Sequence, residues 1–293
     1  MIAEKGKLDR LQSRLLFTGP TLFAFITVVV APFLYGIYLT FTNWDGIATT
    51  YDYVKFDNYL TVWRDTEFWT SFVMTLKYVL LSVVLINAVA FFLAYALTKR
   101  NRSNLFRTGF FLPNLVGGII LGLIWNFVFS HVLVNVGTKL GIPFLEGSWI
   151  VEPQQALWAL ILVTVWQYAG YMMVIYIAGL MNVPKDILEA ASIDGATGWR
   201  RLQSIVLPLM IPSFSVCIFL SLQRAFLVYD LNVSLTNGGP YGSTQLVSLF
   251  IYEKAFLSRE YGVGQAEAFV LFLMVAVITL LQVYFSKKME VEA

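Results

Sequence analysis

Charged residues are scarce in this sequence: they make up 13% of its 293 residues, whereas a soluble domain carries about 25%. Hydrophobic residues make up 58%, and the few charges fall in short clusters between long uncharged runs. This pattern is typical of a chain that crosses a membrane several times. The net charge of +2 is too small to indicate a nucleic-acid partner.

Cysteine and histidine are nearly absent. The single cysteine, Cys217, excludes an intrachain disulfide and a cysteine metal cluster, and its apolar surroundings indicate a packing residue. The single histidine, His131, is expected at a membrane interface. The sequence also lacks a GxxxxGK[ST] phosphate loop, so the chain is not expected to hydrolyse ATP by itself. We therefore predict no catalytic residues, no metal site and no cofactor bound by this chain.

Uncharged runs long enough to cross a bilayer recur along the chain. A helix needs about 20 apolar residues to span the hydrocarbon core. Six runs qualify: residues 15–44, 78–98, 108–138, 153–184, 202–223 and 268–286. The first is too long for a cleaved secretory signal and should stay as a membrane anchor. We predict an all-α integral membrane protein with about six transmembrane helices in residues 15–286.

Lysine and arginine are unequally divided between the loops, and this predicts the orientation. The side that carries both termini holds thirteen of the 20 cations, and the other side holds five. The thirteen are Lys5, Lys7, Arg10, Arg14, Lys99, Arg100, Arg102, Arg107, Lys185, Arg200, Arg201, Lys287 and Lys288. Because positive loops stay inside, we predict cytoplasmic tails at 1–14 and 287–293.

The fourth loop, residues 181–204, has the pattern of a helix although it lies between two spans. Pro184 suits a first helical turn, and Gly195 can end the helix in a left-handed cap. We predict about three helical turns, a turn at 195–198, and a second helix from Trp199 into the fifth span past Pro208. Periodicity alone leaves open that this is a plain interfacial helix.

The residue identities in this loop are more specific. Glu189-Ala190-Ala191, Gly195, Ile205 and Leu207-Pro208 resemble, in identity and spacing, the EAA signature of the transmembrane subunits of binding-protein-dependent ABC importers. Other segments are similar to the sugar permeases of the carbohydrate-uptake class, of the maltose, multiple-sugar and glycerol-phosphate type. These segments are Thr40 to Gly46, Phe56 to Tyr59, Glu67 to Trp69, Phe106 to Thr108, Phe111 to Pro113, Trp125, and Thr236 to Pro240.

This resemblance implies a type I ABC importer transmembrane fold in a prokaryotic plasma membrane, surrounded by lipid. It implies a heterodimer with a second homologous permease, two cytosolic ATPase subunits that bind ATP and Mg, and an extracytoplasmic solute-binding protein that delivers a sugar. It also implies that the fourth-loop helix docks on an ATPase. The implied coupling residues are Glu189, Ala190, Ala191, Asp194 and Gly195.

Two further candidate sites follow. The loop around Asn237, Gly238, Gly239 and Pro240 is either a turn-rich connector or, as the resemblance implies, a contact for the binding protein. The fourth and fifth spans carry aromatic and hydrogen-bonding side chains of the kind that hold sugars, and the resemblance places the matching stretches along the pore. The candidate substrate path is Gln167, Tyr168, Tyr171, Ser221, Arg224 and Asp230.

The fifth span gives a specific geometric expectation. If it rises as one straight helix from Pro208, Arg224 and Asp230 lie roughly 24 and 33 Å further along, toward the outer face. We expect Arg224 to face a cavity with Gln167 and Tyr171, whereas the alternative is an arginine that reaches the headgroups.

A glycerol-phosphate or polyol permease stays open as an alternative function. A secondary transporter, a structural subunit and a membrane enzyme fit less well, because inverted repeats and clusters of ionisable residues are not evident.

Overall fold

The computed structural model describes residues 16–98, 103–196 and 198–289, and the chain there is built from α-helices. The prediction of an all-α protein is confirmed. The predicted tail 1–14, residues 290–293 of the predicted C-terminal tail and the loop cations Lys99, Arg100 and Arg102 lie outside the described residues. Lys287 and Lys288, predicted to lie in the C-terminal tail, instead belong to the last turn of a helix that ends at Met289.

The helices are numbered here in chain order. They are α1 (Leu16–Leu39), α2 (Asp57–Arg64), α3 (Thr66–Thr98), α4 (Ser103–Phe111), α5 (Gly118–Leu140), α6 (Pro143–Glu146), α7 (Pro153–Met181), α8 (Lys185–Ile193), α9 (Gly198–Leu209), α10 (Ile211–Phe226), α11 (Asp230–Leu235), α12 (Val247–Tyr252) and α13 (Tyr261–Met289).

Five helices in the described ranges are long and apolar enough to cross a membrane: α1, α3, α5, α7 and α13. The pair α9 and α10 adds a sixth crossing if it counts as one span. This agrees with the predicted number, although some boundaries differ. The second span, α3, begins at Thr66 rather than at Tyr78, because Glu67 is favourable in a first helical turn.

Proline divides two of the predicted spans. The third run is interrupted by a 3₁₀ turn at Leu112–Leu115, which contains Pro113, and α5 begins only at Gly118. The fifth span bends by 69° between α9 and α10. Pro212 lies just after this bend and has no N–H to donate to the carbonyl four residues earlier. The expected straight helix from Pro208 is therefore wrong.

The contacts within the chain define two units. One comprises Met1–Asp65 and Ile251–Val270, and the other comprises Thr66–Phe250 and Leu271–Ala293. In the first unit, the buried Asn58 amide donates to the carbonyls of Thr40 and Thr42, each at 2.8 Å. Asn58 thus ties α2 to the chain that follows α1.

An ion pair in the first unit joins the chain after α12 to the end of α2. The Lys254 ammonium lies 3.1 Å from the Asp65 carboxylate and 3.7 Å from that of Glu260. Burial by itself would lower the pKa of Lys254, but these carboxylates outweigh it and raise the pKa. The ammonium therefore stays charged at neutral pH.

The second unit is centred on α3, α7 and α10. A buried amide, Asn87 of α3, accepts a hydrogen bond from the Tyr176 hydroxyl at 2.6 Å and donates to the Ser221 hydroxyl at 2.9 Å. Tyr176 belongs to α7 and Ser221 to α10. Because a satisfied buried network has one preferred geometry, this amide fixes the mutual register of the three helices.

Candidate functional site

A polar cavity of about 590 Å³ lies inside the second unit, where segments of α5, α7, α10 and α11 meet. Its walls combine amide, guanidinium, phenol and carboxylate side chains with the backbone that leads into α5. The lining residues are Asn114, Leu115, Val116, Gly117, Gly118, Gln167, Tyr168, Gln223, Arg224, Leu227, Val228, Tyr229, Asp230 and Leu231. Such a wall can bind a polar ligand of several hydroxyl groups.

Arg224 is an exposed cation in the cavity wall. It belongs to the last turn of α10, where a cation is favourable beside the helix C-terminus. Its guanidinium carbon lies 5.1 Å from the ring centroid of Tyr168 and 5.9 Å from that of Tyr171. These are cation–π distances. Two tyrosines one turn apart on α7 therefore contact the guanidinium.

Gln167 lines the cavity beside Tyr168 and is tied to its wall. Its amide nitrogen donates to the Val116 carbonyl at 3.1 Å. This bond holds the extended chain before α5 against α7. Tyr171, in contrast, contacts Arg224 but is not part of the cavity wall, so it acts through the arginine.

Asp230 enters the cavity from the start of α11, which crosses α5 at very close range. A Cβ added to Gly118 would lie 2.7 Å from the Asp230 Cβ, and one added to Gly122 would lie 1.9 Å from the Ser234 hydroxyl. Gly118 and Gly122 form a GxxxG pair, and such pairs let helix backbones approach closely. Close packing of α11 on α5 places the Asp230 carboxylate in the same cavity as Arg224.

The helix α8 has the cap that the sequence predicts. Gly195 has a φ of +79°, and the Ala196 N–H donates to the Ala191 carbonyl at 2.8 Å. The Gly195 N–H donates to the Ser192 carbonyl at 3.2 Å. Together these bonds form a Schellman motif. The helix has 9 residues and begins at Lys185, whereas Pro184 is extended and precedes it.

The predicted coupling residues on and after α8 are not all exposed. Glu189, Ala190, Asp194 and Gly195 are exposed, but Ala191 is only 8% exposed and faces its own chain. Apolar side chains are exposed on and near the helix, among them Ile193 at 86% and Trp199 at 66%. An exposed apolar set around a carboxylate is suited to a protein partner.

Residues 236–244, here termed the NGGP loop, turn back sharply after α11. Asn237 has a φ of +48° and is exposed, whereas Gly238 is buried and both Gly239 and Pro240 are partly buried. The most exposed side chain of the loop is Tyr241. The tip of the loop thus lies one residue beyond the predicted contact residues.

Comparison with known proteins shows the family of the chain. Residues 86–291 match the family described as the inner membrane component of binding-protein-dependent transport systems. The chain belongs to this family. It is thus a component of a membrane transport system and not an enzyme.

Two relatives in the family cover nearly the whole chain. A probable starch degradation products transport system permease protein of Thermoanaerobacterium thermosulfurigenes is 44% identical over 278 residues, 94% of each chain. A multiple sugar-binding transport system permease protein of Streptococcus mutans is 34% identical over 261 residues, 89% of this chain and 90% of the relative.

The fold of this transport component is also known. It matches a bacterial alginate ABC transporter, solved in complex with a periplasmic protein that holds an alginate pentasaccharide. The match has a TM-score of 0.78 at 21% identity and covers 98% of this chain and 96% of the other. The predicted importer fold is thereby confirmed.

Ser221, like Tyr171, is a predicted path residue that the structure places apart from the cavity wall. It is fully buried and bonded to Asn87, and its hydroxyl also donates to the Cys217 carbonyl at 2.7 Å. Its polar group is used for packing between spans of the transport component. A buried serine on a polar helix face cannot be distinguished by sequence from one that faces a cavity.

Asn114 is a cavity residue that the sequence analysis did not single out. Its side-chain oxygen is buried and has no hydrogen-bond partner within the described residues. An unsatisfied acceptor in a polar wall can receive a hydrogen bond from a ligand hydroxyl. The available signal was an amide directly after Pro113, inside a run that we interpreted as one continuous span.

Proposed function

We propose that this chain is the permease subunit through which an ABC importer takes up a neutral sugar or oligosaccharide. The observation that carries the proposal is the cavity wall in which Arg224, Gln167 and Asn114 offer hydrogen bonds beside Tyr168. Sugars are bound by such a combination of an aromatic ring and polar groups. The names of the two relatives, for starch products and multiple sugars, support the same substrate class.

A glycerol-phosphate or polyol substrate is the alternative within the same class. An arginine alone would suit a phosphate. Asp230 shares the cavity with Arg224, however, and a carboxylate there repels an anion. Opposite charges in the wall of one cavity favour a neutral substrate with many hydroxyl groups. A secondary transporter is a weaker alternative, which direct assay can exclude.

The proposal includes three protein partners. A second homologous permease completes the pore, two cytosolic ATPases bind ATP and Mg, and an extracytoplasmic solute-binding protein delivers the sugar. We assign α8 with Glu189, Ala190, Asp194 and Gly195 to the ATPase, and the NGGP loop to the binding protein. Exposure of Glu189 and of Ile193 nearby supports the first assignment. This arrangement requires both termini on the cytoplasmic side.

The test is uptake by the assembled transporter in proteoliposomes. The chain is co-produced with the second permease, the ATPase and the solute-binding protein of its transport system. Radiolabelled maltooligosaccharides should accumulate only with internal ATP and external binding protein, and glycerol 3-phosphate should not compete. Uptake driven by an ion gradient without ATPase, or competition by glycerol 3-phosphate alone, would contradict the proposal.

A further inference from the structure

The NGGP loop is held by two fully buried side chains, Asn232 and Thr244. The Asn232 amide donates to the Thr244 carbonyl at 2.9 Å and to the Thr236 hydroxyl at 3.1 Å. The Thr244 hydroxyl donates to the Gly239 carbonyl at 2.6 Å. The two ends and the middle of the loop are thus bonded to one another. A loop with this internal framework has one preferred conformation.

The base of the loop is also fixed. The loop follows α11 directly, and the Asn126 amide of α5 donates to the Leu235 carbonyl at 2.8 Å. The Ser234 hydroxyl lies within 3.2 Å of the Gly118 carbonyl. With Gly122 beneath Ser234, α11 has no room to shift on α5. Its first residue, Asp230, lines the cavity about 8 Å from the loop.

Tyr241 lies at the tip of the loop and combines an exposed side chain with an unfavourable backbone conformation. Its side chain is 98% exposed, and its φ of +52° is a left-handed conformation that costs a non-glycine residue free energy. The fold therefore maintains an unfavourable backbone conformation at a residue whose side chain packs on nothing around it. Exposed aromatic side chains on rigid loops are typical anchors of protein–protein interfaces.

We propose that Asn232 is a positioning residue that orders the NGGP loop before any partner binds, and that Tyr241 is the anchor for the solute-binding protein. This inference rests on the proposed function, because it assigns a docking site to a partner of that transport system. The physical advantage is that a loop ordered in advance loses little conformational entropy on docking. Asn232 acts on the partner only through the loop.

The experiment uses the complete transporter in nanodiscs and measures ATPase activity against the concentration of binding protein loaded with the transported sugar. Tyr241→Ala should raise the half-saturating concentration on the order of tenfold and leave basal and maximal rates unchanged. Tyr53→Ala, the same change at another exposed tyrosine, is the control and should have no effect.

Asn232→Ala should raise the half-saturating concentration roughly threefold, because the loop must then be ordered during docking. In the Tyr241→Ala background it should add nothing, since the anchor is already lost. A nitroxide at Tyr241→Cys should become more mobile when Asn232→Ala is added. Asn232→Asp, which preserves size but loses the donor, should give the same result if the alanine variant assembles poorly.

The outcomes separate this inference from the proposed function. Normal stimulation of the wild type together with an unaffected Tyr241→Ala variant would overturn the inference alone. Lower maximal rates with an unchanged half-saturating concentration in Asn232→Ala and Asn232→Asp would give Asn232 a merely structural role and overturn its assignment. A wild-type complex that no binding protein stimulates would overturn the proposed function, and the inference with it.

Discussion

Arg224 is held by contacts that leave its hydrogen-bonding edge available. The faces of Tyr168 and Tyr171 accept the guanidinium as a cation, and these contacts require none of its N–H donors. Asp230 lines the same cavity and brings a charge of the opposite sign to its wall. The arginine is therefore oriented by aromatic rings and can donate to the hydroxyls of a sugar.

Replacement of Arg224 by alanine should lower sugar uptake by about ten- to a hundredfold, because hydrogen bonds from a charged donor are lost. Stimulation of ATPase activity by the binding protein should stay largely intact, since Arg224 is far in sequence from α8. Arg224→Lys should recover only part of the uptake, because an ammonium does not reproduce the planar stacking. Lys139→Ala, at an exposed cation elsewhere, is the control. Unchanged transport kinetics at equal expression would count against the assignment.

Gly170 shows how a single hydrogen atom can determine helix packing. A Cβ there would lie 1.7 Å from the Phe110 carbonyl oxygen, so α7 and α4 could not keep their present distance. Gly109, in contrast, has no atom within 4 Å of its added Cβ. The two glycines therefore form a matched pair for one substitution.

Gly170→Ala should destabilise the protein by about 1–3 kcal/mol, because the added methyl group forces the two helices apart. Gly109→Ala should leave stability unchanged or raise it slightly, since alanine favours a helix. Thermal unfolding in detergent, followed by the loss of monodisperse protein, measures the difference. Equal melting temperatures for the two variants would contradict the packing of α4 on α7.

At the scale of elements, α8 combines a fixed geometry with an exposed acidic face. The Schellman motif at Gly195 ends the helix, and the Arg201 guanidinium donates to the Ser192 hydroxyl at 3.2 Å across the turn. The helix is therefore held to the start of α9. A partner that displaces α8 would therefore also displace the spans through α7 and α9, the helices that flank it.

Glu189→Lys should abolish uptake while the subunit still inserts, because the proposed contact of this exposed carboxylate with a cation on the ATPase would become repulsive. Copurification of the ATPase and sugar-dependent ATPase activity measure the coupling. Asp186→Lys, at another acid of the same helix, is the control and should preserve most of the uptake. If both variants behave alike, the effect is a general change of charge and Glu189 has no special contact.

At the scale of the whole molecule, the orientation in the membrane can be tested with two exposed positions. Tyr241 is 98% exposed in the NGGP loop and Ile193 is 86% exposed at the end of α8. The proposed function places them on opposite sides of the membrane. The natural Cys217 is buried, so the wild type provides an unlabelled background.

An impermeant maleimide should label Tyr241→Cys but not Ile193→Cys in intact spheroplasts, and inside-out vesicles should give the reverse. The unequal distribution of lysine and arginine is the physical reason, because cationic loops stay cytoplasmic. A cysteine at Lys5 should behave like Ile193→Cys. Labelling of position 5 in intact cells would contradict the orientation.

Much of the functional prediction depends on features of the local sequence. The cap at Gly195 needs only a glycine after a helix, and the EAA signature needs only identities and spacing. Arg224 was identified because a cation inside an apolar run is costly unless it has partners. Asn114 was missed because it lies in a run that we interpreted as one continuous span, and Tyr241 was missed because a residue between proline and glycine looks like an ordinary turn residue.

The sequence by itself determined the class of molecule: apolar runs of sufficient length require helices in a bilayer, because unsatisfied backbone groups are too costly there. It also determined where α8 lies and which residues form its signature. Only the tertiary structure decided that α10 departs by 69° from α9, that Ser221 packs while Asn114 faces the cavity, and that Asp230 and Arg224 line the same cavity. Those outcomes depend on contacts between segments far apart in the chain, such as Gly122 against Ser234, and a local pattern contains no information about such contacts.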